Sequence, residues 1–291
     1  MTAPSRLTLV LVAVLPAACR PPVPEQKISG PVTPIAAVAP SLAEGPWLYR
    51  PTTQRRAYVI QQNAVLATRV DTFSRNDSVS SRAELAFTLF SGGSQVGGSV
   101  TAFSVRGPGQ RPATPGGLVL PFTFAGDLRS HTQQIAFTVP IGDTPCASAP
   151  MSVLQSLRDL WFRPPDTLRL RTTWEDTASY TVCRDGIVLH TGTWRVFRVA
   201  AAAVRDGRVL LTIRRSTRST LKGAGQQAGE PVEITGTSSG QAAYELDPET
   251  GELFGALGTS ALELVLKSRL RTQAVLQVNE MRISARSVDK P

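Results

Sequence analysis

The chain has 291 residues, a formal net charge of +9 and 42% hydrophobic residues. This hydrophobic fraction is sufficient for a folded core, so a wholly disordered chain is excluded, and the length allows one large domain or two ordinary ones. With only two His and three Cys, the sequence offers little material for a His/Cys metal site, and we expect neither a metal nor another cofactor.

The first nineteen residues have the organisation of an export signal. Arg6 is followed by the apolar run 7–15 and then by small residues up to Cys19. A nine-residue helix rises about 14 Å, roughly half of the hydrocarbon core of a bilayer, so the run is too short to span a membrane. A charged start, a short apolar run and small residues before a cleavage site are typical of a secretory signal peptide.

The end of this segment, Ala17-Ala18-Cys19, resembles the lipobox of bacterial lipoproteins, although Pro16 stands where that family usually has Leu, Val or Ile. The resemblance implies a signal peptide over 1–18, cleavage before Cys19 and a lipid attached to Cys19. The mature protein would then be anchored in the cell envelope and face the periplasm. An ordinary secretion signal cut near Ala18 is the alternative.

A change of pattern separates a tether from a folded body. Residues 19–46 are rich in proline, which favours an extended, semi-rigid tether. From Trp47 onward, apolar residues recur at every second position, and this period predicts half-buried strands over a first block, 47–143. The clearest alternations are Leu85/Phe87/Leu89, Thr101/Phe103/Val105, Leu118/Leu120/Phe122/Phe124 and Ile135/Phe137/Val139/Ile141.

One amphipathic helix is predicted at about 149–162. Its apolar residues recur at spacings of three and four, which places them in one stripe along a helix. A single helix between two blocks of strands is expected to pack this stripe on a sheet. Together with facing aromatic residues of the strands, the stripe is the candidate ligand-binding surface, and ordinary core packing is the alternative. The stripe consists of Met151, Leu154, Leu157 and Trp161.

Strands resume in a second block, 167–288. Asp185-Gly186 stands between two apolar runs and predicts a hairpin, and so does the Asp206-Gly207 pair. The fold class is therefore mainly β, an antiparallel meander that forms a curved sheet or barrel, in a single body over 47–291 with the helix packed on it. This architecture loosely resembles the periplasmic half-barrel carriers of lipids and lipoproteins, and that resemblance assigns no individual residue.

Two cysteines remain when Cys19 is assigned to the lipid. An even pair in an exported protein predicts one structural disulfide, here between Cys146 and Cys183. Such a bond would fasten the N-terminal end of the helix to a strand. Two buried free thiols are the alternative.

The motifs associated with catalysis are weak. The triplet that begins at Asp176 approaches the D-[ST]-G of aspartic proteases but lacks its glycine, so we expect turn or strand-end residues there. Ser219 and Lys222 match S-x-x-K without the later K-T-G element. His131 and His190 are the candidate general bases. The protein is not expected to be an enzyme, and a hydrolase with a site assembled in space is the alternative.

Charge is segregated along the second block. Residues 195–222 contain eight basic residues against one acidic residue, whereas 223–266 contain seven acidic residues and no Lys or Arg. Pairing between adjacent basic and acidic strands explains this pattern. The alternative is a basic face for anionic headgroups or an acidic partner. Nucleic acid is not expected as a partner, because aromatic residues are not interleaved along the basic stretch of this exported chain.

These observations predict a monomeric cell-envelope lipoprotein that binds an apolar or amphipathic ligand, or an envelope protein, without catalysis. An envelope scaffold without a ligand cavity and a secreted hydrolase are the alternatives. A cavity with apolar walls would favour the carrier. A solid core with an apolar surface patch would favour the scaffold, and a histidine within reach of a carboxylate and a nucleophile would favour the hydrolase.

Overall fold

The computed structural model of the chain describes residues 45–70, 72–128, 149–184, 186–227 and 229–286. One α-helix, α1, covers Ala149–Ser156, and a 3₁₀ turn covers Arg158–Leu160. The first strands are β1 (Trp47–Leu48), β2 (Arg56–Val70), β3 (Phe73–Phe90), β4 (Gln95–Arg106), β5 (Phe122–Asp127) and β6 (Thr167–Leu168). The later strands are β7 (Thr173–Arg184), β8 (Ile187–Arg205), β9 (Arg208–Gln227), β10 (Glu230–Asp247), β11 (Glu252–Ser268) and β12 (Thr272–Arg286).

Several predicted features lie outside the described residues. They are the signal peptide, Cys19, the tether up to residue 44, His131, the predicted strand around 135–141 and Cys146. The backbone of Cys183 lies in β7. The disulfide and the lipid anchor therefore stay predictions.

Ten of the described strands form one curled antiparallel sheet, which confirms the predicted fold class. Their order is β5-β4-β3-β2-β12-β11-β10-β9-β8-β7. Each strand pairs with its neighbour in sequence, except that β2 pairs with β12 and so joins the two blocks of strands. The described sheet is open, with β5 and β7 at its edges, and β1 pairs separately with β6.

Turn chemistry fixes the hairpins as expected. Arg205 pairs with Arg208 across Asp206 and Gly207, whose φ angles are 51° and 75°. Two consecutive positive φ angles are the signature of the type I′ turn, which favours Asp-Gly. The predicted β8–β9 hairpin is thus confirmed, and β7 and β8 pair as the Asp185-Gly186 signal predicted.

The helix packs on the sheet as predicted but is shorter than the predicted 149–162. The backbone N–H of Leu157 is shared between the carbonyls of Val153 and Leu154, and the chain then tightens into the 3₁₀ turn. At Trp161 the backbone is extended, with φ −104° and ψ 130°. The helical spacing of the apolar residues therefore continues beyond the helical backbone. The first strand after residue 107 also begins later than the pattern suggested, at Phe122.

A large apolar cluster fills the space between α1 and the sheet. Trp161 lies edge-on to Phe87 and Phe124, with ring centroids 6.0 and 5.5 Å away. Phe87 stacks on Tyr58, and burial raises the pKa of the Tyr58 phenol to about 12. We call the face of the sheet that carries this cluster the inner face. The cluster is the main core of the described body.

A second apolar cluster occupies the opposite end of the inner face. Large side chains of one strand lie over glycines of the next. Leu264 lies over Gly236, where an added Cβ would come within 2.4 Å of Leu264 Cδ2. Gly236 is therefore required for the close approach of β10 and β11. The buried members of this cluster are Ile187, Leu189, Val232, Ile234, Leu264, Leu266 and Val275.

Candidate functional site

Small residues occupy the inner face between the two apolar clusters. On β10, Gly236, Ser238 and Gly240 take the inward positions between the larger Ile234 and Tyr244. Ser238 pairs in register with Ser219 of β9, and Gly240 pairs with Ser260 of β11. Short side chains on three adjacent strands leave a depression in the middle of the sheet.

This depression is a pocket of about 230 Å³ that is lined mainly by polar residues. Most of its inward-facing polar groups are hydroxyls and carboxamides, while Leu221 and Leu262 form the rim towards the second apolar cluster. The polar side chains on the inner face of the sheet that line it include Gln62, Thr191, Ser219, Ser238, Ser260, Gln277 and Asn279.

The end of α1 forms another wall of the pocket. Gln62 donates from Nε2 to the carbonyl oxygen of Ser156 at 3.0 Å, which ties the helix to β2. Arg158 donates from Nη1 to the carbonyl oxygen of Gln155 at 2.7 Å, and its guanidinium lies 4.4 Å from the centroid of the Tyr180 ring. These two contacts hold a cation at the pocket wall in a defined orientation.

A buried ion pair connects the edge of the sheet to the segment after the helix. Arg195 donates to both carboxylate oxygens of Asp176, at 2.6 and 2.9 Å, and the two side chains are 3% and 4% exposed. Arg195 also donates to the carbonyl oxygen of Trp161 at 3.3 Å. Asp176 therefore lies inside β7 with a structural partner, and its prediction as a turn or strand-end residue is wrong.

The structure places most of the predicted ligand stripe in the core rather than in the pocket. Leu154, Leu157 and Trp161 are at most 3% exposed, and the side chain of Met151 is outside the described atoms. The pocket residues were not predicted. The signal that could have found them is the alternation of inward Gly and Ser residues at 236–240, between large inward residues on either side.

Among the described residues, those considered for hydrolysis do not come together in the pocket. His190 is exposed and lies on the outer face, where its register neighbours are Thr181 and Lys222. Ser219 faces inward, whereas Lys222, three positions along the same strand, faces outward. Within the described ranges, no group of three or more His, Cys, Asp and Glu side chains could hold a metal ion.

The segregated charges meet between strands that have one strand between them, β8 with β10 and β9 with β11. Arg205 approaches Glu245 at 3.6 Å, and Arg208 approaches Glu252 at 3.8 Å. The basic strand β9 also lies directly beside the acidic strand β10. These exposed contacts contribute little stability. The adjacency of β9 and β10 agrees with the predicted pairing of basic and acidic strands, whereas the two ion pairs join strands that are not adjacent.

Among the described residues, no helix is long and apolar enough to cross a bilayer.

Comparison with known proteins yields distant structural similarities. No family model and no curated protein matches the chain. Pseudomonas aeruginosa OccK2 (OpdF), solved in complex with glucuronate, is 9% identical with a TM-score of 0.26, covering 83% of this chain and 100% of that one. P. aeruginosa OpdQ is 8% identical with a TM-score of 0.24, covering 80% of this chain and 100% of that one.

A third similarity is to a DUF1329 family protein from Desulfovibrio piger. It is 9% identical with a TM-score of 0.15, over 80% of this chain and 87% of that one. At these TM-scores, neither the fold nor the function of the three proteins transfers to this chain.

Proposed function

We propose that this protein is a non-enzymatic lipoprotein of the cell envelope that binds an amphipathic ligand on the inner face of its sheet. The observation that carries the proposal is the polar pocket between two apolar clusters. Its volume of about 230 Å³ lies below the roughly 300 Å³ at which pockets for whole small molecules begin. It therefore suits the polar part of a ligand, with the apolar part along Leu221 and Leu262.

The filled core beneath α1 restricts where a ligand can bind. Leu154 is 0% exposed and Trp161 is 2% exposed, so an apolar chain would have to displace packed side chains to enter there. The pocket offers space without such displacement. The filled core and the open pocket together favour an amphipathic ligand over a purely apolar one.

Filling the pocket tests the proposal. Ser238→Leu places a large side chain in the depression, and we expect it to weaken binding of the neutral amphipathic probe N-phenyl-1-naphthylamine about tenfold or more, because the leucine occupies the space that the ligand would fill. Fluorescence titration of the full chain gives the affinity, and circular dichroism melting checks the fold.

Ser239→Leu is the matched control, because Ser239 is the next residue of β10 and is exposed on the outer face. It should bind the probe like the unmodified protein. Equal affinity of the Ser238→Leu variant and the unmodified protein, or an equal loss in both variants, would contradict a site in this pocket.

The localisation has its own test. In a bacterium that processes lipoproteins, the full chain should lose residues 1–18 and partition into the detergent phase with an acylated Cys19. Cys19→Ser should remain in the aqueous phase, because it lacks the thiol that carries the lipid, whereas Cys183→Ser should partition like the unmodified protein. Unchanged partition of Cys19→Ser, measured together with the N-terminal mass, would eliminate the lipid anchor.

A second candidate function, the envelope scaffold, is favoured by an apolar patch on the outer face. Val65 and Val278 pair in register and are 55% and 44% exposed, and Leu276 beside them is 42% exposed. Exposed apolar neighbours of this kind occur at protein contact surfaces. Absence of any probe binding to the unmodified protein would favour this scaffold over the carrier.

A further inference from the structure

We propose that the pocket recognises an anionic headgroup, a phosphate or a carboxylate, and that Arg158 is the residue that binds it. This inference rests on the proposed function, since it names the chemistry of the ligand that the same pocket would hold. It is carried by the orientation of one cation, the donors of the pocket and the distribution of charge around it.

The contacts of Arg158 leave its guanidinium able to bind an anion. Its hydrogen bond to the carbonyl of Gln155 and its position over the Tyr180 ring fix the guanidinium without neutralising it. Within the described part of the chain, no carboxylate forms an ion pair with Arg158. A guanidinium has five N–H donors, and this contact uses one of its nitrogens, so further donors remain for an oxyanion.

The pocket also supplies hydroxyl donors. Gln277 donates to Asn279 at 2.6 Å, and Asn279 in turn donates to Ser260 Oγ at 3.2 Å. Because Ser260 Oγ is the acceptor in its hydrogen bond with Asn279, the hydroxyl proton of Ser260 can be donated to a ligand. Ser238, in the same depression, offers a second hydroxyl.

The charge around the pocket has the sign that an anion requires. The described side chains along it include the cations Arg158 and Arg215, and the one carboxylate among them is Glu280. Glu280 occupies an outward position of β12 and is exposed. Arg215 faces inward, with its guanidinium 5.5 Å from the centroid of the Tyr244 ring. The pocket thus has the cation Arg158 at its wall and its carboxylate at an exposed, outward position, a distribution of charge that attracts anions.

The rim explains why the ligand should also carry an apolar chain. Leu221 and Leu262 border the pocket and pack against the second apolar cluster. A free phosphate would use the donors but leave this apolar surface exposed to water. An amphipathic anion would use both.

Competition against N-phenyl-1-naphthylamine tests the inference with four probes on the full chain. Oleoyl lysophosphatidic acid should bind about tenfold or more tightly than oleoylglycerol, which has the same chain without the charge, because hydrogen bonds between charged groups are stronger than those between neutral groups. Sodium oleate distinguishes a carboxylate from a phosphate. Inorganic phosphate should compete weakly because it lacks the chain.

Arg158→Gln should abolish the preference for lysophosphatidate, and Arg158→Lys should retain part of it. Arg214→Gln is the control, because Arg214 is an exposed arginine on the outer face of β9; it should keep the full preference. Equal displacement by lysophosphatidate and oleoylglycerol, or an unchanged preference in Arg158→Gln, overturns the anion inference while the proposed function stands. Phosphate as potent as lysophosphatidate overturns the amphipathic character. Failure of every probe to bind overturns both proposals.

Discussion

Replacing Asp176 with alanine is expected to lower the free energy of unfolding by about 3–5 kcal/mol, because it leaves the charge of Arg195 buried without its carboxylate. Arg195 is 3% exposed and donates to both oxygens of Asp176. Water therefore cannot replace the lost partner unless the edge of the sheet opens. Urea unfolding followed by tryptophan fluorescence measures the change.

Glu175→Ala is the matched control, because Glu175 precedes Asp176 in β7 but is exposed and accepts one hydrogen bond, from Trp194, at 3.1 Å. It should change the stability by less than about 1 kcal/mol. If Asp176→Ala fails to fold, the double variant Asp176→Ala/Arg195→Met still tests the role of the ion pair. Removal of both charges should recover at least half of the free energy of unfolding that the single variant loses. A single variant as stable as the unmodified protein would rule out a structural role for the ion pair.

Trp161→Ala is expected to destabilise the protein by about 3–5 kcal/mol, the range for removal of a large aromatic side chain from a core. Its indole fills the space between the segment after α1 and the sheet, edge-on to Phe87 and Phe124. The resulting cavity would be lined by rigid strand residues, so the site cannot collapse to fill it. Thermal and urea unfolding both report the loss.

Trp194→Ala provides the comparison, because Trp194 is 40% exposed on the outer face. Its removal should cost no more than about 1 kcal/mol. The milder Trp161→Phe keeps an aromatic ring in the core and should fall between the two alanine variants. Equal stabilities of Trp161→Ala and Trp194→Ala would show that the segment after α1 is not part of the main core.

The strands were predictable where one face is apolar. Leu85, Phe87 and Leu89 alternate with smaller or polar residues, and this local pattern is sufficient to identify β3 and its buried face. The polar half of β9, from Ser216 to Gln227, has no such pattern. It is a strand because β8 and β10 provide hydrogen-bonding partners on both sides. The presence of these two neighbours cannot be inferred from the sequence of the segment itself.

The alternation at 236–240 marks one wall of the pocket, but the complete pocket could not be predicted because its walls come from residues far apart in sequence. Ser219, Ser238 and Ser260 lie on three strands, and only the register of the sheet brings them together. Arg158 joins them through the end of the helix. In the sequence, by contrast, the large residues of the helical stripe are conspicuous, and in the fold they serve as core.

The ion pair shows the same limit for charged residues. Asp176 and Arg195 are 19 positions apart, and each is one polar residue within an alternating strand. They meet because Asp176 and Arg195 are direct register partners in β7 and β8. Neither residue type nor spacing distinguishes such a pair from the exposed Arg205–Glu245 contact.

The pairing of β2 with β12 determines the order in which the sheet can be completed. β2 is the first long strand among the described residues to emerge during synthesis, and β12 is the last described strand. Until β12 is made, one edge of β2 has no partner among the described strands, and the two halves of the ten-stranded sheet share no hydrogen-bonded seam. Completion therefore depends on contacts between residues about two hundred positions apart, as between Ile60 and Ile283. High contact order of this kind slows folding and prolongs exposure of unpaired strand edges, so the nascent chain has a sustained need for protection from aggregation.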